Sequence, residues 1–141
     1  MERDVYSGRL KLLGEENETT LLAANNYAAS LLILERFAEA KSLMRRWIPV
    51  ARRVLGAEHR LMLRIRWTSA RALILDPSAM LDDLREAVTM LKDTDRIARR
   101  VLGGAHPLAA DIENGLRNAR AVLLARELRQ SQHVEPSRSS A

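Results

Sequence analysis

Three side chains near the middle of the chain have the types and the spacing of a binding surface. Arg64, Trp67 and Arg71 follow one another at intervals of three and four residues, and residues at those intervals share one surface of a helix. Guanidinium groups form paired hydrogen bonds with carboxylates and stack on aromatic rings, so this triplet would suit a peptide that carries acidic and apolar residues. Trp67 also falls in an apolar stripe with Leu63 and Ala70, and a place in the core is therefore an alternative for it.

The sequence contains no set of residues typical of an enzyme. It has no His-Glu-x-x-His motif, no glycine-rich phosphate loop and no serine in a nucleophile elbow. It has 0 cysteines, which excludes thiolate zinc sites and cysteine nucleophiles. His59 and His106 occupy the same position before a helix start, which indicates turn residues rather than metal ligands. We expect no enzymatic activity, no catalytic residues, no metal site and no cofactor.

The charge of the chain has two interpretations. The formal net charge is +5, and the basic residues are 20 arginines and 3 lysines. Eight arginines lie between Arg45 and Arg71, where Glu58 is the single acidic residue, and such a stretch could bind nucleic acid or another polyanion. A GC-rich coding sequence would produce the same excess of arginine without any functional demand.

A repeat in the sequence predicts the fold. Gly14, Gly56 and Gly103 are 42 and 47 residues apart, and each ends a matching string, RLKLLG, ARRVLG and again ARRVLG. Apolar residues recur at helical spacing in two stretches of each unit. A pair of helices with one apolar face each cannot bury that face alone, so neighbouring pairs must stack. We therefore expect an all-α fold, an α-solenoid of antiparallel helix pairs with about two full repeats and a terminal helix.

Local signals place the boundaries of these units. Glycine accepts the positive φ that a helix C-cap needs, so Gly14, Gly56 and Gly103 should each end a helix. Asp76 and Pro77 should start one, as N-cap and first helical residue, and Pro49 should kink the helix that contains it. The predicted units are 1–14, the tail of a preceding repeat or an N-terminal cap; 15–56, the first repeat; 57–103, the second repeat with a five-residue insertion near 76–80; 104–129, the closing helix; and 130–141, a disordered tail.

The first unit resembles the tetratricopeptide repeats of kinesin light chains and their relatives. The resemblance is carried by Leu13-Gly14-Glu15-Glu16-Asn17-Glu18-Thr19-Thr20-Leu21, by Asn25-Asn26-Tyr27-Ala28 and by Glu35-Arg36-Phe37-Ala38-Glu39-Ala40. It implies a right-handed solenoid in which the first helix of each pair lines a concave face and the second faces outward. The positions that it implies for a peptide-binding face are Leu22, Asn25, Ala29 and Leu32 in the first unit, Arg64, Trp67, Arg71 and Ile74 in the second, and Asp111, Asn114 and Asn118 in the third.

These observations predict a protein–protein interaction module, an adaptor or scaffold, that binds a peptide or protein segment on its concave face. The expected partner carries acidic residues. The alternatives are a basic helical repeat that binds nucleic acid or another polyanion, and a structural fragment that associates with itself through its terminal helices. No segment resembles a secretory signal or a membrane span, so we expect a soluble cytoplasmic protein with no membrane partner. We expect it either to be cut from a longer array or to pack its first face on another copy.

Overall fold

The chain folds into six α-helices joined by short loops. The computed structural model describes residues 2–139, with side-chain surroundings for residues 2–132. The helices are α1 (Glu2–Leu13), α2 (Glu18–Ile33), α3 (Phe37–Leu55), α4 (Arg60–Ile74), α5 (Leu81–Leu102) and α6 (Pro107–Ser139). Each helix packs against the next one along the chain, and the result is the all-α repeat solenoid that the sequence predicts.

The helices form two layers. We call α2, α4 and α6 the inner layer, and α1, α3 and α5 the outer layer. Helix α4 contacts both α2 and α6, whereas within the described residues the backbones of α1, α3 and α5 do not approach one another. The inner helices therefore lie closer together than the outer helices, which curves the stack toward the inner layer.

The apolar core is divided along the stack, as expected for repeats that bury only what neighbouring pairs cover. One cluster joins α1, α2 and α3 to the start of α4, and another joins α4, α5 and α6. The close crossings use small residues, since Ala28, Ala40, Ala70 and Ala87 are completely buried. Trp47 fits into the first cluster because its indole N–H donates to the hydroxyl of Tyr6 at 3.0 Å.

Three glycines end the three outer helices, as the sequence predicts. Gly14, Gly56 and Gly103 follow α1, α3 and α5 and have φ values of 82°, 83° and 85°. For Gly56 and Gly103 the ψ values are 168° and 149°, a region that side chains essentially exclude. These positions therefore require glycine more strictly than an ordinary left-handed cap would.

The inner helices begin at equivalent caps. The side chain of Asn17 accepts a hydrogen bond from the backbone N–H of Thr19, and the Nδ1 atoms of His59 and His106 accept from Leu61 and Leu108 at 3.0 and 3.1 Å. An acceptor at this position satisfies one of the free N–H groups of the first turn. The two histidines are thus structural, in the turn position that their repetition indicates.

The start predicted for the helix after α4 is wrong. Helix α5 begins at Leu81 with Met80 as its N-cap, not at Pro77. The carboxylate of Asp76 accepts from the N–H of Ser78 at 2.8 Å and closes a turn instead. Residues 76–80 therefore form a loop, which Arg126 of α6 holds by donating to the carbonyl of Ala79 at 2.6 Å.

Helix α6 continues to Ser139, past residue 129 where the closing helix was predicted to end. Neither glycine nor proline interrupts the chain between Gly115 and Pro136, so no strong breaker ends the helix at residue 129. Residues 140 and 141 of the predicted tail lie outside the described residues. Pro49 lies inside α3, which continues on both sides of it.

Candidate functional site

The best candidate site is the free face of α4. This helix is packed against α2, α3, α5 and α6, so the face that the described residues leave open points away from the outer layer. Arg64 is exposed on that face, and Trp67, Arg71 and Ile74 are half-buried. The predicted triplet thus lies on one accessible surface, bordered by α2 and α6.

Trp67 lies between the two positions that the sequence left open, the core and the surface. Its ring packs against the cluster of α4, α5 and α6 but remains partly accessible. A Cβ atom placed on Gly115 of α6 would lie 2.1 Å from Cζ3 of Trp67, so the ring occupies the space that a side chain at position 115 would need. The guanidinium carbon of Arg71 lies 5.7 Å from the centre of the same ring, within the range of a cation–π contact.

On α2 two of the four predicted positions are accessible, Leu22 and Ala29, and the other two are replaced at the surface by the next residue. Asn25 and Leu32 are buried, whereas their neighbours Asn26 and Ile33 are exposed, and Ala29 is half-buried. The side-chain oxygen of Asn25 is closed to solvent and receives no hydrogen bond from the described residues. A partner could reach that oxygen only after the side chain rotates.

On α6 the three predicted residues are accessible. Asp111, Asn114 and Asn118 are all exposed, and their spacing places them on one face of the helix. Asn114 occupies the repeat position of Trp67 and Asn25, so the same position is exposed in α6, half-buried in α4 and buried in α2.

A cavity of about 390 Å³ lies where the first turns of α2 and α4 meet. Leu22, Arg60 and Arg64 line it together with Glu18 and His59. Leu22 provides an apolar wall, and the two arginines provide positive charge. The cavity extends the free face of α4 toward its N-terminus.

The arginines of the basic stretch differ in their ion pairs between the outer and the inner layer. On the outer layer, Arg45, Arg46 and Arg53 pair with Glu86, Glu15 and Glu16 at 3.2, 3.1 and 2.8 Å, and Arg100 pairs with Glu58. On the inner layer, no carboxylate of the described residues forms an ion pair with Arg60, Arg64 or Arg71. The exceptions are Arg66 of α4, which pairs with Asp93, and Arg52 of α3, which is exposed and forms no ion pair in the described part of the chain. The unpaired arginines of the basic stretch therefore lie mainly on α4.

A larger cavity of about 800 Å³ lies on the outer layer between α3 and α5. Its apolar floor includes Ile48 and Met90, but its charged rim is largely neutralised internally. Asp93 accepts from Arg66 of α4 at 2.9 Å and from Arg96 at 2.7 Å. The hydrogen bonds from Arg96 and then Arg66 lower the pKa of Asp93 below its usual value.

The described residues add little chemistry beyond this surface. Among them, no group of three or more histidine, aspartate or glutamate side chains is arranged to hold a metal ion. None of the helices over residues 2–139 is both long enough and apolar enough to cross a membrane.

Sequence reasoning missed Gly115, Asn26 and Ile33. A signal was present for Gly115, because a glycine inside a helical pattern costs helix stability and often has a packing reason. No comparable signal separates Asn25 from Asn26, since both are asparagines on adjacent positions and only the crossing of α2 with its neighbours decides which is buried.

The fold and this surface define a class, a helical-repeat protein with an open inner layer. Residues 20–61, which form α2, α3 and the start of α4, match the family model of the tetratricopeptide repeat. The match supports a tetratricopeptide repeat protein, and that repeat is a non-enzymatic fold for protein–protein interaction. A comparison with curated proteins gives no match to this chain.

Proposed function

We propose that this protein binds an acidic peptide or protein segment along the open face of its inner layer. The observation that carries the proposal is the position of Arg64, Trp67 and Arg71 on the face of α4 that the described residues leave open, with both arginines outside their ion pairs. Carboxylates of a partner would supply the missing acceptors, and hydrogen bonds between two charged groups are stronger than neutral ones.

Apolar contacts would accompany these charges. Leu22 lines the cavity that also contains Arg60 and Arg64, and the half-buried Ile74 follows Arg71 by one helical turn. A partner segment with alternating acidic and apolar residues would therefore meet both kinds of group. Asn114 and Asn118 of α6 would add hydrogen bonds, because an amide both donates to and accepts from a peptide backbone.

The proposal extends to the type of repeat, which we assign to the kinesin light chain-like tetratricopeptide repeats. Glu35-Arg36-Phe37-Ala38-Glu39-Ala40 and the strings that end in Leu-Gly support a kinesin light chain-like type of repeat. Glu35 has a φ of 59° where the motif of those repeats has glycine, so the loop between α2 and α3 keeps the geometry of the motif without its residue. An adaptor role in the cytoplasm follows from the same likeness.

The test is a titration of a fluorescein-labelled peptide of alternating glutamate and leucine or phenylalanine, followed by anisotropy. We expect the double variant Trp67→Ala, Arg71→Ala to weaken binding by about tenfold or more, as for a central pair in an interface. The matched control is Arg45→Ala with Arg85→Ala on the outer layer, where both side chains are about half exposed (53% and 52%). Unchanged affinity in the Trp67 and Arg71 double variant would remove this surface from the site.

The same unpaired arginines could bind a polyanion, and one further titration separates the two functions. Binding of a single-stranded oligonucleotide should depend steeply and linearly on the logarithm of salt and little on sequence. A peptide held by apolar contacts as well as charges should lose less affinity between low and physiological salt. An oligonucleotide that binds more tightly than the acidic peptide at physiological salt would favour the polyanion.

A further inference from the structure

Gly115 is an unusual residue for its place in the fold. It lies in the interior of α6 and is buried, where glycine lowers helix stability relative to alanine. An alanine Cβ at this position would lie 2.1 Å from Cζ3 and 2.5 Å from Cη2 of Trp67. Since carbon atoms cannot approach so closely, the ring of Trp67 would have to leave its place.

Trp67 in turn determines where Arg71 lies. The guanidinium carbon of Arg71 is 5.7 Å from the ring centre, and Arg71 makes no ion pair with the described carboxylates. Stacking on an aromatic ring restricts a flexible arginine without using the donors at the edge of its guanidinium. Those donors remain available to a carboxylate of a partner.

We propose that Gly115 is a positioning residue, which holds the ring of Trp67 against α6 so that the ring holds Arg71 for a carboxylate of the partner. Arg71 is then the residue that determines specificity, and Trp67 contributes by orienting it rather than by stacking on the partner. This inference rests on the proposed function for the identity of the partner, but its geometry is testable in the protein alone.

The test without a partner is the NMR spectrum of the whole chain. The ring current of Trp67 should displace the α-proton resonances of Gly115 from their positions in an unfolded chain, and Trp67→Leu should abolish that displacement. Gly115→Ala should move the indole N–H resonance of Trp67 and make Trp67 more accessible to a quencher. The matched control is Gly8→Ala, because Gly8 also lies inside a helix but has no heavy atom within 4 Å of its added Cβ. An α-proton shift for Gly115 that does not depend on Trp67 would overturn the inference.

The test with a partner is a double-mutant cycle on the acidic peptide. We expect Arg71→Ala and Trp67→Ala each to weaken binding by about tenfold, and the double variant to weaken it no further, because both remove one unit. Trp67→Phe should restore most of the affinity, since a phenylalanine ring still offers a face to Arg71. Gly115→Ala should weaken binding by about threefold or more, up to the loss in Trp67→Ala, because it displaces the same ring, and Gly8→Ala should not.

The outcomes for the two proposals are distinct. Wild-type protein that fails to bind the acidic peptide contradicts the proposed function, and the NMR measurements then still decide the geometry of Gly115, Trp67 and Arg71. Wild-type protein that binds, combined with fully additive effects of Trp67→Ala and Arg71→Ala or with unchanged binding by Gly115→Ala, overturns the positioning role alone.

Discussion

Tryptophan and arginine side chains have different surroundings in the two layers of the stack. In the outer layer Trp47 is completely buried and hydrogen-bonded to Tyr6, and Arg46 and Arg53 are paired with glutamates. In the inner layer Trp67 is only half-buried, and Arg64 and Arg71 are left without carboxylate partners in the described part of the chain. Composition and net charge describe both layers together, whereas the pattern of ion pairs differs between them.

The two tryptophans give the largest expected difference. Trp47→Ala should lower the free energy of unfolding by about 3–5 kcal/mol, because it leaves a cavity in the first cluster and an unpaired hydroxyl on Tyr6. Trp67→Ala should cost less, about 2–3 kcal/mol, because Trp67 is partly accessible, but it should weaken peptide binding where a conservative Trp47→Phe does not. Urea unfolding and anisotropy on the same variants measure both. Equal losses of stability would place Trp67 in the core with Trp47.

Peptide binding should weaken when an inner-layer arginine gains a carboxylate partner within the chain, as outer-layer arginines have. Leu22 shares a cavity with Arg64, so Leu22→Glu would offer Arg64 an internal carboxylate. We expect affinity for the acidic peptide to fall about threefold to fivefold relative to Leu22→Gln, the range of a surface ion pair. The difference should disappear at high salt. If both variants bind alike at low salt, Arg64 is not part of the site.

Asn25 is a buried residue of the inner layer. Its replacement should change the free energy of unfolding without changing peptide affinity. Its side-chain oxygen is buried without a hydrogen bond from the described residues, so Asn25→Leu should raise the free energy of unfolding by about 1 kcal/mol by removing an unsatisfied group. Asn26→Leu is the control, since Asn26 is exposed and its replacement should leave stability nearly unchanged. Thermal or urea unfolding measures both. A more stable Asn25→Leu variant that also loses peptide affinity would return Asn25 to the binding surface.

The caps of the inner helices test whether the histidines are structural. His59→Ala and His106→Ala should each lower the free energy of unfolding by about 1 kcal/mol, and the corresponding asparagine variants should keep most of it, because asparagine accepts the same N–H. Helicity by circular dichroism and urea unfolding measure the loss. Asparagine variants as unstable as the alanine variants would show that capping is not the reason for histidine here.

The repeat and the fold could be predicted because they depend on local, repeated signals. Glycine at positions 14, 56 and 103 ends a helix wherever the backbone needs a positive φ, and apolar spacing identifies the paired helices. The accessibility and the ion pairing of the candidate site residues could not be predicted in the same way. Whether Asn25 or Asn26 is accessible, and whether Arg53 meets Glu16, depends on how one repeat crosses the next. Asp76 and Pro77 show a further limit, since the Asx turn that they form uses the same residues as a helix start.

The smallest expected effect concerns the one outer-layer aspartate whose pKa the structure clearly lowers. Arg96 and Arg66 hold the pKa of Asp93 below its unfolded value of about 3.9. A carboxylate with a lowered folded pKa contributes stability above the unfolded pKa, and that contribution is lost as pH falls through the folded pKa. The stability advantage of wild-type protein over Asp93→Asn, measured by urea unfolding, should therefore be largest near neutral pH and shrink steadily below pH about 4.

Asp82→Asn is the control, because its side chain is 95% exposed in its pair with Arg85 and an exposed pair adds little stability. An advantage that stays constant down to pH about 2, well below the unfolded pKa of an aspartate, would show that Asp93 contributes through packing rather than through its charge.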